Sequence, residues 1–586
     1  MMRTFWTLAL CVGFVACGPA KGDDTNQDDT LATLTIEPEM SEHEITPTMA
    51  ASQVFTATVT YPGGQTRDVT SEVAFGVDSL GGFNMNTLSI SGAGKATVFA
   101  VWGDPAAPKT ASAQVIARMK SSRVDPSLPP NTPDLFNGPD DPSRAPTILY
   151  PPVGTIIPRN LGDFEAHWTD GSGNTVFELS LHTEFTDVRI YVPGGNGLPV
   201  GPMPTWGAFL ATEWIAATQN EKSVQFQVRG VDAANPVAVG STPPQLVKLS
   251  NESMEGGIYY WGIHDVVPPA NYQVSGVYRH DMSKPGLPAE EYMTNNQTID
   301  ASYPSGRCVA CHSLSRDGTK MALTYDGGNG QGTMVDVATG TRQAPGGAWN
   351  FATFTPDGSQ VMTVLDRALT VRDTATQAAL VTAPFSVNQP DLSADGKTLV
   401  YMSSASGSDP FASAGQIHIA SYDQATQTFG APIALVTDGV NNFYPTFSPD
   451  GQWVLFNRAD DGGDSYDNPN AQLWVVKADG SAPPMALATG NLALGLTNSW
   501  GRWAPFAQSV GPNFDPVFWI TVSSKRDFGV RRLLSENRPQ IWMMPFFPSR
   551  AGTGQDPSGP GFHLPFQNID TRNHIAQWTE RIVVTQ

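Results

Sequence analysis

Cysteine is almost absent from this chain of 586 residues: there are four, at positions 11, 17, 308 and 311. Tetrahedral zinc takes four ligands, and the one close cluster, Cys308, Cys311 and His312, offers three. Basic residues are also scarce, 34 Lys and Arg against 55 Asp and Glu, for a formal net charge of −21. A surface of that sign repels phosphate backbones and anionic lipid head groups, so no nucleic-acid partner is expected. Helix-forming runs of Ala, Glu, Leu and Lys are few. The N-terminal apolar run, Phe5 to Ala16, is too short to span a bilayer as a helix. No Gly-x-Ser-x-Gly elbow, His-Glu-x-x-His pair or phosphate-binding glycine loop occurs, which leaves hydrolase chemistry without support and no catalytic residue to name. The "GGNGQG" stretch at 327–332 reads as a turn between strands.

What is abundant is glycine, 56 residues, and proline, 48. With so many turn formers the chain is expected to be all-β, and its length calls for two to four domains. The first residues, "MMRTFWTLALCVGFVAC", have Arg3 ahead of the apolar run and read as an export signal over residues 1–17. Phe14-Val15-Ala16-Cys17 resembles a bacterial lipobox, with phenylalanine where leucine is usual. That resemblance implies acylation of Cys17, a membrane partner through the lipid, and, with Gly18 next, delivery to the outer membrane. Residues 18–30, "GPAKGDDTNQDDT", form a polar tether.

Beyond the tether, short alternating runs such as "LTIEP", "QVFTATVTYPGG" and "LSISGAGKATVFAVW" resemble a bacterial Ig-like domain over residues 31–118. Residues 119–146 are rich in Pro and Asp and read as a linker too polar to bury a core. Residues 147–268 are similar to a fibronectin-like sandwich with Trp168, Tyr260 and Trp261 as core aromatics. His167, His182 and His264 read as ordinary surface or core histidines. From residue 269 an internal repeat takes over. "HSLSRDGTKMALTY", "ATFTPDGSQVMTVL", "PDLSADGKTLVYMS" and "PTFSPDGQWVLFNR" align without gaps, each with Asp-Gly opening a turn, at Asp317, Asp357, Asp395 and Asp450. Weaker copies follow at "SWGRWAPF" and "NHIAQWTERIVV". The repeats resemble those of the TolB-like family of β-propellers. The resemblance implies a six-bladed propeller over 269–586, and we expect its two ends to close it, residues 275–286 pairing with the C-terminal strands.

Cys308-Val-Ala-Cys311-His312 is the attachment signature of c-type haem: two thiols bond the cofactor and the adjacent imidazole ligates iron. Alignment of the repeats puts His312 at the start of an inner strand, opposite Ala576, so His574 becomes a candidate sixth ligand of the haem iron. Met293 is the other, and His280, on an outer strand, is a weaker one. The function expected on this reading is a lipid-anchored, extracytoplasmic haem c protein for electron transfer or redox sensing, working with a redox partner. The alternative is a non-enzymatic scaffold for envelope proteins, with a Cys308–Cys311 disulfide and no haem. Asp460, Asp461, Asp464 and Asp467 cluster in "RADDGGDSYDNPN", but without the ligand spacing of a calcium loop, and read as a solvated loop.

Overall fold

A computed structural model describes residues 29–195, 203–264, 274–295, 309–325, 330–344, 346–406 and 411–583. The export signal, most of the tether, Cys17 and Cys308 lie outside the described residues. The fold is all-β apart from short helical turns such as Ala211–Thr218. No helix among the described residues is long and apolar enough to cross a membrane. The chain divides into two compact units, the smaller taking in residues 51–90 and 95–116 and the strands that precede them.

In the smaller unit, Thr33–Glu37 pairs with Thr56–Thr60, which pairs with Thr66–Asp68; Ala51–Val54 pairs with Thr87–Ile90, which pairs with Gly81–Asn84. Alternation sets the faces: in Thr33–Glu37 only Leu34 and Ile36 point inward. Phe55 is fully buried, and Phe75 stacks on Phe83 at 5.4 Å.

The larger unit begins with two facing sheets. One runs Ile156–Ile157, Gln245–Leu249, Ser223–Val231, Val176–His182, Thr186–Pro193, with Met119–Val124 alongside in parallel. The other is Thr147–Tyr150, Phe164–Asp170, Met203–Phe209. Trp168 and Phe177 meet between them at 5.2 Å, so Trp168 is the core aromatic that its pattern implied. The linker assignment needs correction. Thr132–Asn137 forms a 3-10 turn whose Phe136 is buried against Tyr191, with the Arg229 guanidinium over its ring at 5.6 Å. Val124, Leu128 and Leu135 pack against the same cluster, so the segment docks through its few apolar residues and the cation over Phe136.

Among the described residues, six antiparallel sheets follow. Five are meanders in chain order, opening with Val309–Leu314, Phe351–Phe354, Asn388–Leu392, Asn441–Phe447 and Ser499–Val510. The Asp-Gly turns explain the repeat. Ser315, Thr355, Ser393 and Ser448 each donate a hydroxyl proton to the aspartate two residues on, and each accepts the amide of the residue five on. The following glycine has positive φ, +73° at Gly318 and +69° at Gly451, where a side chain would be strained.

The remaining sheet departs from expectation. Its order is Glu290–Thr294, Val274–Asp281, Gly257–His264, Arg572–Thr579. The start of the repeat region and the C-terminal strand do share a sheet, but Val274–Asp281 does not pair with that strand; Gly257–His264 lies between them. Tyr260 and Trp261 therefore belong to this sheet and not to the sandwich core, and the boundary near 268 falls instead before Gly257. The reason is physical: "GIYYWGIH" is apolar enough to be covered on both faces, and its edge is satisfied only by Arg572–Thr579. Neighbouring opening strands lie side by side through the series, and Arg572–Thr579 lies against both Ser499–Val510 and Val309–Leu314.

Candidate functional site

Cys311 and His312 sit on Val309–Leu314, which pairs with Lys320–Tyr325 through an irregularity between Val309 and His312. His312 is 4% exposed, its Nε2 3.4 Å from the Tyr259 carbonyl. The Cys311 thiol faces Asn350 Oδ1 at 3.7 Å. Both line a cavity of about 20 Å³ with Trp500, Arg502, Ile575 and Gln577, where the opening strands of several sheets converge. That convergence is what the repeat alignment implied. Among the described residues, the space beside the His312 ring is about that of one water.

His574 lies on Arg572–Thr579 opposite Trp261, with ring centroids 5.8 Å apart. It lines a different cavity, of about 90 Å³, with Asp467, Lys525 and Arg572; Trp500 borders both. Lys525 Nζ is 2.7 Å from Asp467. Desolvation lowers the His574 pKa to about 4, against the pull of Asp467 and with the help of Lys525 and Arg572. The imidazole is therefore neutral at pH 7. Met293 is 2% exposed and packs among Tyr259, Val277, Val309 and Met321. Its strand is at the opposite edge of the sheet from His574, about 14 Å away by strand spacing. Met293 and His312 both adjoin Tyr259, whereas His574 and His312 face separate cavities.

Two charged groups at the convergence of the sheets carry no sequence signal. Asp391 accepts from Thr446 Oγ1 at 2.9 Å and from the Phe447 amide at 2.8 Å, tying two sheets together. Burial raises its pKa, with Arg502 pulling the other way; burial lowers that of Arg502. The aspartate-rich loop uses its acids locally. Asp461 accepts from the Gly463 amide and from Asn468 and Asn470, and Asp467 pairs with Lys525. No group of three or more His, Cys, Asp or Glu among the described residues has the geometry to hold a metal ion.

No family model matches the chain, and no curated protein matches it. Among solved structures it is similar to TolB from Acinetobacter baumannii, at 14% identity and a TM-score of 0.36, over 61% of this chain and 80% of that one. It is also similar to the TolB described from Agrobacterium tumefaciens, at 13% identity and a TM-score of 0.28, over 56% of this chain and 99% of that one.

Proposed function

We propose that the six sheets close as a six-bladed propeller and that the chain is a non-enzymatic, lipid-anchored scaffold for protein partners in the cell envelope. The observation that carries this is the packing of His312. The histidine of the motif is built into the wall between the first two sheets, against the Tyr259 carbonyl, and the adjoining space is about that of one water. The ring closure is supported by the sequence of adjacent opening strands, completed by Arg572–Thr579 between the last sheet and the second. Export and anchoring at Cys17 are supported by the N-terminal sequence, and the Cys308–Cys311 disulfide by the close spacing of the two cysteines in an exported chain. The partner surface on this reading is the propeller mouth around His574, Asp467 and Lys525.

A photo-crosslinking residue placed at Asn537, which lines that mouth, is expected to capture a discrete envelope protein in intact cells. The same residue at Thr382, on a short outer strand, should capture none. Absence of any adduct at position 537 overturns the scaffold reading. Protein made with haem-maturation machinery should show no Soret band and no covalent haem mass; a Soret band lost on Cys308→Ala with Cys311→Ala would restore haem c, with His574 or Met293 as the second axial ligand. Cys17→Ser should abolish membrane fractionation and leave the fold intact.

A further inference from the structure

A separate cavity of about 530 Å³ lies in the larger unit, and neither His312 nor His574 lines it. It opens where Gly257–His264 and Val274–Asp281 meet the segment around Phe566 and the turn before Phe164. Its volume is in the range that takes small organic ligands.

Its wall is aromatic. Tyr260 and Tyr278 stack at 5.7 Å, Tyr260 adjoins Phe566 at 6.2 Å, and His280 lies flat on Phe566 at 4.1 Å and 10°. Desolvation lowers the His280 pKa to about 4, with Asp281 opposing, so this ring is neutral at pH 7 and adds π surface, not charge. Two of the carboxamides that also border the space are already engaged. Gln567 Nε2 donates to the Ile541 and Leu564 carbonyls, and Asn573 Nδ2 to Gln540 and the Asn568 carbonyl. The charge is of one sign: among the described residues that line the cavity, Asp163 and Glu291 are acidic and none is lysine or arginine.

Aromatic faces with carboxylates at the rim and no competing cation attract positive charge on a carbon framework, through the ring quadrupoles and Coulomb attraction together. We infer that this cavity is a binding site for an organic cation, an ammonium or guanidinium group, supplied either as a free small amine or as a basic side chain on a polypeptide. The site is separate from the proposed scaffold mouth and does not depend on that reading.

The test is calorimetric titration of the full chain with choline, with its uncharged isostere 3,3-dimethylbutanol, and with a capped Gly-Arg-Gly tripeptide. A cation is expected to bind saturably and about tenfold more tightly than the isostere, the size of a desolvated cation–π contribution. Glu291→Gln, on an exposed position that keeps the side-chain shape, should weaken it about three- to fivefold. Tighter binding of choline identifies a free amine as the natural source, and tighter binding of the tripeptide a basic side chain; either supports the site. The inference is overturned if neither cation saturates by about 10 mM, if the isostere binds as well as choline, or if Glu291→Gln with an unchanged thermal melt binds both cations as tightly as the wild type.

Discussion

Histidines held neutral by burial, His563 and His280 with His574, should make the larger unit acid-sensitive well above the carboxylate range. His563 is 5% exposed, stacked on Phe528 at 4.3 Å, and His280 is 3% exposed. Desolvation lowers His563 to about 3, with Glu165 opposing and Arg531 and His167 adding to it; His280 falls to about 4. In the unfolded chain each ring titrates near 6.5. Between those values the unfolded state binds the proton and the folded state does not, so stability is full above about pH 6.5 and falls as pH drops toward the folded pKa. Taking the unfolded chain from about pH 7 to about pH 5 is worth about 2 kcal/mol for each histidine. Guanidinium unfolding followed by tryptophan fluorescence at both pH values measures the loss. Asp163 and Asp391, whose pKa values are raised mainly by burial, shift stability in the opposite sense as they titrate. Comparison with His563→Gln cancels them, because they are common to both proteins. The variant should lose about 2 kcal/mol less than the wild type over this interval, whatever its packing defect at pH 7. An identical loss in the two proteins would refute the claim that the fold holds His563 neutral.

Other consequences follow from the contacts between sheets. Trp578 is 8% exposed, donates to Thr521 Oγ1 at 3.2 Å and meets Phe506 edge-on; Trp578→Ala should cost about 3 kcal/mol or more, and Thr521→Val about 1 kcal/mol, read as midpoint shifts in denaturant. Deleting residues 572–583 strips Gly257–His264 of its partner and leaves an unpaired strand edge; light scattering should show aggregation, and a monomer with an unchanged melt would contradict the pairing. Asp391→Ala leaves the Phe447 amide and the Thr446 hydroxyl without their acceptor and should cost about 3 kcal/mol, with Asp391→Asn costing less in the same denaturant assay.

The part of this molecule that was legible in advance is the part whose causes are local. The Ser/Thr-x-Asp-Gly signature works within six residues: the hydroxyl at Ser315 or Ser448 bonds the nearby aspartate and amide, and glycine supplies the positive φ. Alternation in Thr33–Glu37 likewise needs no distant partner to set its buried face. The repeat alignment likewise put His312 on the strand that opens its sheet, although that strand begins at Val309, three residues before it. Its surroundings did not follow, since the Tyr259 carbonyl that meets its ring comes from a strand that the apolar pattern alone could not tell from sandwich core.

Long-range partners were decided by the tertiary structure. Gly257–His264 could complete either a sandwich or a repeat sheet as far as its residues go, and only the position of Arg572–Thr579 at its edge settles which. Phe136 looks like part of a linker until Val176 and Val239 close around it. Asp467 and Lys525, and the aromatic wall from Tyr260 to Phe566, join residues far apart in the chain whose proximity costs loop entropy and is repaid by burial. The sequence by itself determined the repeat, its turns and the inward face of each strand, because hydrogen bonds and alternation act over a few residues. Which sheets adjoin, how His312 is enclosed and where the cavities open depend on contacts that exist only once the chain has folded.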